Sequence, residues 1–267
     1  MSGRLSFDAD TALAALGPGR WRGEVSERWF VGRGPNGGLL AAFAVRAMQG
    51  LVPEAGRDPR SLTLHYLEAP SAGPIEVAGR VEREGRSSTA VSLRFEQGER
   101  TVALALGTLA LWNPGGLDHL ATAPPRVPPP AGLDRVDPAT AGLPAFVANY
   151  DWRFAVEPGA PDAPRVGGWI KTAEPRRVDA VSVAAFSDAF FPAIFPVLGS
   201  FTASAPTIDL TIHFRAPLDD LGDVWVLGDF RSRRAAGGYF EEDGELWTQD
   251  GVLLAQSRQL AMLREPR

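Results

Sequence analysis

The sequence predicts an α+β protein built from two related halves, each with a long buried helix and several mainly antiparallel strands. Three observations predict it. The word LTLHY, Leu62 to Tyr66, returns 148 residues later as LTIHF, Leu210 to Phe214, with only Leu/Ile and Tyr/Phe exchanges. The run GGLLAAFAVRAMQGLV, residues 37–52, carries apolar residues on nearly every face, as a helix buried all round does. Between the halves lies NPGGLDHLATAPPRVPPPAGLDRVDPATAGLP, too dense in proline for helix or ladder pairing and therefore an extended connector. The expected division is 1–112, a connector over 113–146, and 147–267.

Along the chain, each element has its own signal. Asn36, Gly37 and Gly38 stand where the first helix should begin, and amides at a helix start favour anions and polarised carbonyl oxygens. SLTLHYLEAP reads as a strand closing in Ala-Pro. EQGER supplies turn chemistry, and TVALALGTLALW closes the first half. In the second half VSVAAFSDAFFPAIFP reads as the matching helix, with Pro192 and Pro196 bending or stopping it. In TIDLTIHF, Ile208, Leu210, Ile212 and Phe214 point one way, and Thr207, Asp209, Thr211 and His213 the other. EEDGE reads as a second turn. GVLLAQSRQLAML ends the chain with Leu253, Ala255, Ser257, Gln259, Ala261 and Leu263 on one face.

Composition narrows the function classes. The 267 residues are 45% hydrophobic and 22% charged, the profile of a soluble globular protein. There is no cysteine, so disulfides and thiolate chemistry are excluded. The formal charge is −5 and basic residues are scattered, which argues against a nucleic-acid surface. MSGRLSFDADTALAALG is not expected to be a signal peptide. No apolar run reaches the ~20 residues that span a bilayer. A cytoplasmic protein without membrane insertion is expected. No His/Cys/Asp/Glu cluster has metal-ligand spacing, and Gly-x-Ser-x-Gly is missing, so serine-nucleophile and zinc mechanisms lack support. His65 and His213 fall on matched positions and read as structural; His119 reads as solvated.

The halves differ where chemistry would sit. At the repeat offset Leu40 is matched by Asp188, a carboxylate among Phe186, Phe190, Phe191 and Ile194. An unpaired charge there is costly. Asp188 either caps a helix or faces a wet edge, or it orients a reacting group. Gln259 is a long amide on an otherwise small or apolar face, opposite about Thr108 in the first half. It needs partners if buried and none at a wet sheet edge. Thr207 opens the matching strand. Phe190, Phe191, Phe195, Leu39 and Phe43 line an apolar groove or are plain core. Arg33, Arg86, Arg231, Arg233 and Arg234 are candidates for phosphate contact.

These segments carry a resemblance over nearly the whole chain. GPNGGLLAAFAVRAM, SLTLHYLEAP, FSDAFF, TIDLTIHFRAP and WTQDGVLLAQSRQLAMLR resemble the double-hotdog acyl-CoA thioesterases of the bacterial thioesterase II type. The resemblance implies two hotdog modules, each a mainly antiparallel sheet wrapped around one apolar helix. It implies an acyl-CoA substrate, hydrolysis of its thioester, no cofactor, and assembly into a homo-oligomer, dimer or higher. Asp188, Thr207 and Gln259 match the family's water-activating residues, with Asn36, Gly37, Gly38, Phe190 and Phe191 toward the substrate. Two positions depart from the family's usual pattern: Asn36 precedes the paired glycines in place of Phe, and Leu210 follows Asp209 in place of His. A non-catalytic acyl-CoA or acyl-carrier binding protein and a hotdog enoyl-CoA hydratase are the alternatives; the hydratase usually carries a His after its Asp, which is missing here.

Overall fold

A computed structural model describes residues 6–264 apart from 158, 160, 161, 199–203 and 220, and apart from the side chains of 140 and 141. The chain opens with α1 (Phe7–Asp10), β1 (Ala14–Gly17), β2 (Arg20–Val25), and the small hairpin β3 (Phe30–Val31) and β4 (Gly34–Pro35). Next come α2 (Gly37–Leu51), β5 (Arg57–Tyr66), β6 (Gly73–Glu84), β7 (Ser88–Gln97) and β8 (Arg100–Leu111). The later part holds α3 (Pro138–Ala141), β9 (Tyr150–Val156), β10 (Arg165–Thr172), α4 (Ala180–Phe186) and α5 (Phe195–Leu198). It ends with β11 (Thr207–Phe214), β12 (Val226–Arg231), β13 (Ala235–Ala236), β14 (Tyr239–Thr248) and β15 (Leu253–Met262).

One 13-stranded sheet runs β1-β2-β6-β7-β8-β5-β11-β15-β14-β12-β10-β9, with β13 on β14. The halves meet where β5 pairs antiparallel with β11, so the two repeated words pair with each other. Thr63 lies opposite its own counterpart Thr211, with their hydroxyl oxygens 3.0 Å apart, which puts a local two-fold axis at this point. Leu62, Leu64, Leu210 and Ile212 are buried on the inner face, while His65 and His213 are exposed on the outer one. The words are alike because each half contributes the same edge to one continuous sheet.

Helix α2 is buried along most of its length and packs with α4 against that inner face. It starts where Asn36 accepts from the Gly38 N–H at 3.0 Å, the expected cap. Gly38 lies so close to α4 that an added Cβ would sit 2.5 Å from the Ala185 carbonyl oxygen. The architecture is the α+β double hotdog that the sequence predicts. No helix among the described residues is long and apolar enough to cross a membrane.

Three local expectations are corrected. The second helix stops at Phe186; Ser187 turns its hydroxyl back to the Val183 carbonyl, and Asp188 lies in the turn beyond. Pro192 bars continuation through Phe191, so the helix that sequence alone extends over Asp188 is short. The EEDGE segment is no turn: β14 runs straight through it, with Phe240, Glu242, Gly244 and Leu246 buried in alternation. Neighbouring strands on both sides hold Asp243-Gly244 extended, overriding the local turn preference. The third is a bulge in β11. Thr207 pairs with Ala261 and Asp209 with Leu260, so Ile208 is the extra residue. The bulge turns Thr207 onto the inward face, away from the side that strict alternation assigns it. By contrast EQGER does turn, between β7 and β8, through Gly98 at φ +63°.

The proline-rich stretch packs on the outer side of the later strands. The Trp169 indole N–H donates to the Pro128 carbonyl at 2.8 Å, and Val127 and Leu133 cover Trp169, Leu227 and Trp247.

Candidate active site

Asp188 is placed by the end of α4 and by the start of α2, which approach each other head to tail. Its Oδ2 accepts from Asn36 Nδ2 at 3.0 Å and from the Gly38 N–H at 3.2 Å, and the Gly37 amide favours its ionised form as well. Asn36 Nδ2 also donates to the Asp188 backbone carbonyl at 2.6 Å. The amides at Gly37 and Gly38, read from the sequence as a cradle for a substrate oxygen, are therefore directed at Asp188. An added Cβ on Gly37 would sit 2.9 Å from both Asp188 Oδ2 and the Tyr66 hydroxyl oxygen. The Tyr66 hydroxyl donates to the Gly37 carbonyl at 3.1 Å.

Asp188 keeps some exposed surface, yet its surroundings strip enough water to push its pKa up to about 7. Burial is the main cause; the Gly38, Gly37 and Asn36 donors pull the other way. The charge of Asp188 in turn raises the phenols Tyr66 and Tyr150, whose main perturbation is burial. The Tyr150 hydroxyl is buried and has no hydrogen-bond partner among the described residues.

A second cluster stands on β11, β14 and β15. Thr207 Oγ1 donates to Gln259 Oε1 at 2.9 Å, and Gln259 Nε2 donates to Glu242 Oε1 at 2.8 Å. Glu242 Oε2 accepts from the Ala193 N–H at 2.5 Å. Gln259 is 7% exposed and Glu242 2%. Gln259 is therefore a satisfied buried amide, not a group at a wet sheet edge. Burial pushes Glu242 up to about 7, against its bonds from Ala193 and Gln259, with the charges of Asp188 and Glu241 adding to the rise. That coupling joins the two clusters electrostatically.

The sequence singles out Asp188, Thr207 and Gln259 but not Glu242, Tyr66 or Tyr150, which the structure places beside them. A signal for Glu242 was present: Phe240, Glu242, Gly244 and Leu246 alternate as a buried face. The Asp-Gly pair hid it by suggesting a turn. The counterpart of Gln259 also moves by one residue. Leu210 pairs with Gln259 as Leu62 pairs with Gly107, so the first half has Gly107 there and not Thr108. Phe190 is buried with its ring stacked on Trp152 at 5.3 Å and tilted on Phe230 at 5.1 Å. Phe191 is half-buried against Phe154. Arg231 pairs with Asp229 at 2.7 Å and Arg233 with Asp243, while Arg33, Arg86 and Arg234 are exposed.

Fold and site together define a double-hotdog protein with a buried polar centre where its halves meet. The chain belongs to the acyl-CoA thioesterase family: the family's N-terminal domain matches residues 25–110 and its C-terminal domain residues 118–263, which takes in most of the proline-rich stretch. An uncharacterized protein of Mycobacterium tuberculosis is 28% identical over 91% of this chain and 90% of its own length. Among solved structures, a hot dog fold protein of unknown function from Alicyclobacillus acidocaldarius is 28% identical with a TM-score of 0.89, covering 98% of both chains. A candidate thioesterase II from Thermobifida fusca is 27% identical with a TM-score of 0.85, over 98% of this chain and 99% of its own. Acyl-CoA thioesterase II of Mycobacterium marinum shares the fold at a TM-score of 0.79 and 21% identity, over 97% of this chain and 98% of its own.

Proposed function

We propose that the protein hydrolyses the thioester of an acyl-CoA to free acid and CoA, with Asp188, Thr207 and Gln259 holding the attacking water. The observation that carries this reading is Asp188 itself. It is a carboxyl fixed by donors from the other half of the molecule and held near pH 7, where it can both take and return a proton. In this reading the water oxygen bonds to the thioester carbon as Asp188 takes one of its protons. The carbonyl becomes an oxyanion, to which Gln259 Nε2 offers its second hydrogen. The oxyanion then collapses, the C–S bond breaks, and the CoA sulfur receives the proton from Asp188. A thioester is already electrophilic, so positioning and general-base help are the main contributions, each about 10²–10⁴-fold.

We further infer a cytoplasmic enzyme of fatty acid metabolism, working as a homo-oligomer of chains divided into modules at 1–112 and 147–267. A thiol-trapping dye with straight-chain acyl-CoAs from acetyl to palmitoyl tests the activity. Wild-type protein should release thiol, and Asp188→Ala should reduce kcat at least ~10²-fold. Full activity in the variant would end the assignment. Tight acyl-CoA binding without thiol release would make this an acyl-CoA binding protein.

A further inference from the structure

Glu242 is a buried carboxylate with no cation beside it among the described residues. Asp188 and Glu241 are the charges that bear on it, and both oppose its ionisation. Such a group is costly to keep. Its hydrogen bonds show what it does. The backbone N–H of Ala193 reaches one oxygen and the Gln259 amide the other, so both ends of the group at 242 must accept. Of the two protonation states of Glu242, the ionised one does this.

The consequence runs down the chain. Because ionised Glu242 only accepts, Gln259 must present its NH₂ to it and its Oε1 to Thr207. The Thr207 hydroxyl then spends its one proton on Gln259 and meets any further partner as an acceptor. A carboxamide at 242 would reverse this order. The Ala193 N–H would claim its oxygen, its NH₂ would face Gln259, Gln259 would turn over, and Thr207 would be left with a free O–H.

We propose that Glu242 is a positioning residue that fixes the direction of the Glu242–Gln259–Thr207 hydrogen-bond chain, so that Thr207 and Asp188 both accept from the hydrolytic water. This rests on the hydrolase reading above. A water donating to both acceptors has its two protons committed and its lone pair left for the thioester carbon. A Thr207 that donated would bind that lone pair instead.

The test is steady-state kinetics on the full chain with the same acyl-CoA series, using Glu242→Gln, Thr207→Val and the double variant, with Asp188→Ala as reference. Glu242→Gln should lower kcat about 10–100-fold with KM within about twofold. Thr207→Val should do the same. The double variant should be no slower than Thr207→Val alone, because Glu242 acts through that hydroxyl. Thr207→Ser, which keeps the acceptor, should retain activity. Should Glu242→Gln fail to fold, Glu242→Met enters the same cycle. Wild-type kcat in Glu242→Gln, or losses that multiply in the double variant, would overturn the role of Glu242 while leaving the Asp188 assignment intact. Absence of thiol release by the wild type would instead bring down the hydrolase reading and this inference with it.

Discussion

Replacing Asp188 with Asn should make the protein more stable at alkaline pH while removing its activity. The folded state holds the Asp188 carboxyl at about 7, against 3.8 when unperturbed. Ionising it in the fold therefore costs about 4 kcal/mol relative to the unfolded chain. Asp188 retains some exposed surface, and solvent screening there brings the expected figure to about 2 kcal/mol. The direction follows from proton binding. Between pH 4 and 7 the folded state holds a proton that the unfolded state has lost. Stability from this group is thus complete below about pH 4 and lost as pH rises through about 7. Asn keeps an oxygen that can accept from Asn36 Nδ2 and the Gly38 N–H but carries no charge to desolvate.

Urea unfolding of both proteins from pH 4 to 9 measures the difference. Near pH 4 the two should coincide. Above pH 8 Asp188→Asn should be about 2 kcal/mol more stable, a rise in melting temperature of roughly 4–8 °C for a chain of this size. Identical stability at pH 9, or a variant less stable there than wild type, would mean that Asp188 is not desolvated in the fold, and the reasoning from its burial to its chemistry would fail.

Two further outcomes follow from the same geometry. For kcat/KM, a rise through an apparent pKa near 7 and a plateau above it are expected, since both Asp188 and Glu242 are held near that value; the midpoint belongs to the coupled pair, and a pH–rate profile measures it. Gly38→Ala and Gly107→Ala should separate site from scaffold. A Cβ on Gly38 meets the Ala185 carbonyl oxygen at 2.5 Å, and one on Gly107 meets the flexible Met48 Cε at the same distance. Both should lower thermal stability by about 1–3 kcal/mol, but only Gly38→Ala should lower kcat per folded molecule.

Much of this was legible in the sequence. The paired words and the all-round apolar run fix two modules and their central helices, because burial patterns and repeats are written locally. Asp188 and Gln259 stood out as polar groups in apolar company, whereas Thr207 was marked only by the family resemblance. What was not legible depends on contacts between distant segments. The offset that aligns β5 with β11 fails at the helices, since α2 starts at Gly37 and α4 at Ala180, five residues short of it. Asp188 therefore has no true helical counterpart in Leu40. The bulge that turns Thr207 inward is set by pairing with β15, and Glu242 was masked by an Asp-Gly pair that two neighbouring strands hold extended.

The asymmetry of the site has a physical origin in how the two helices begin. Helix α2 is capped by Asn36, a neutral group, which leaves the partial positive charge of its N-terminus for another anion; Asp188 of the other half supplies it. Helix α4 is capped by Asp179, whose carboxylate accepts from the Ser182 N–H at 2.9 Å and pairs with Arg176 at 2.6 Å. Its N-terminus is already neutralised from within, so a second carboxylate there would meet repulsion. The surrounding strands agree. Where β14 and β15 carry Glu242 and Gln259, the matching pair on β7 and β8 is Val91 and Gly107, and the Met48 thioether fills the space beside that glycine. Pro59 stands at the repeat position of Thr207 and offers no hydroxyl. One change of cap and three changes on the strands thus turn the same frame into a packed apolar core in one half and a buried polar centre in the other.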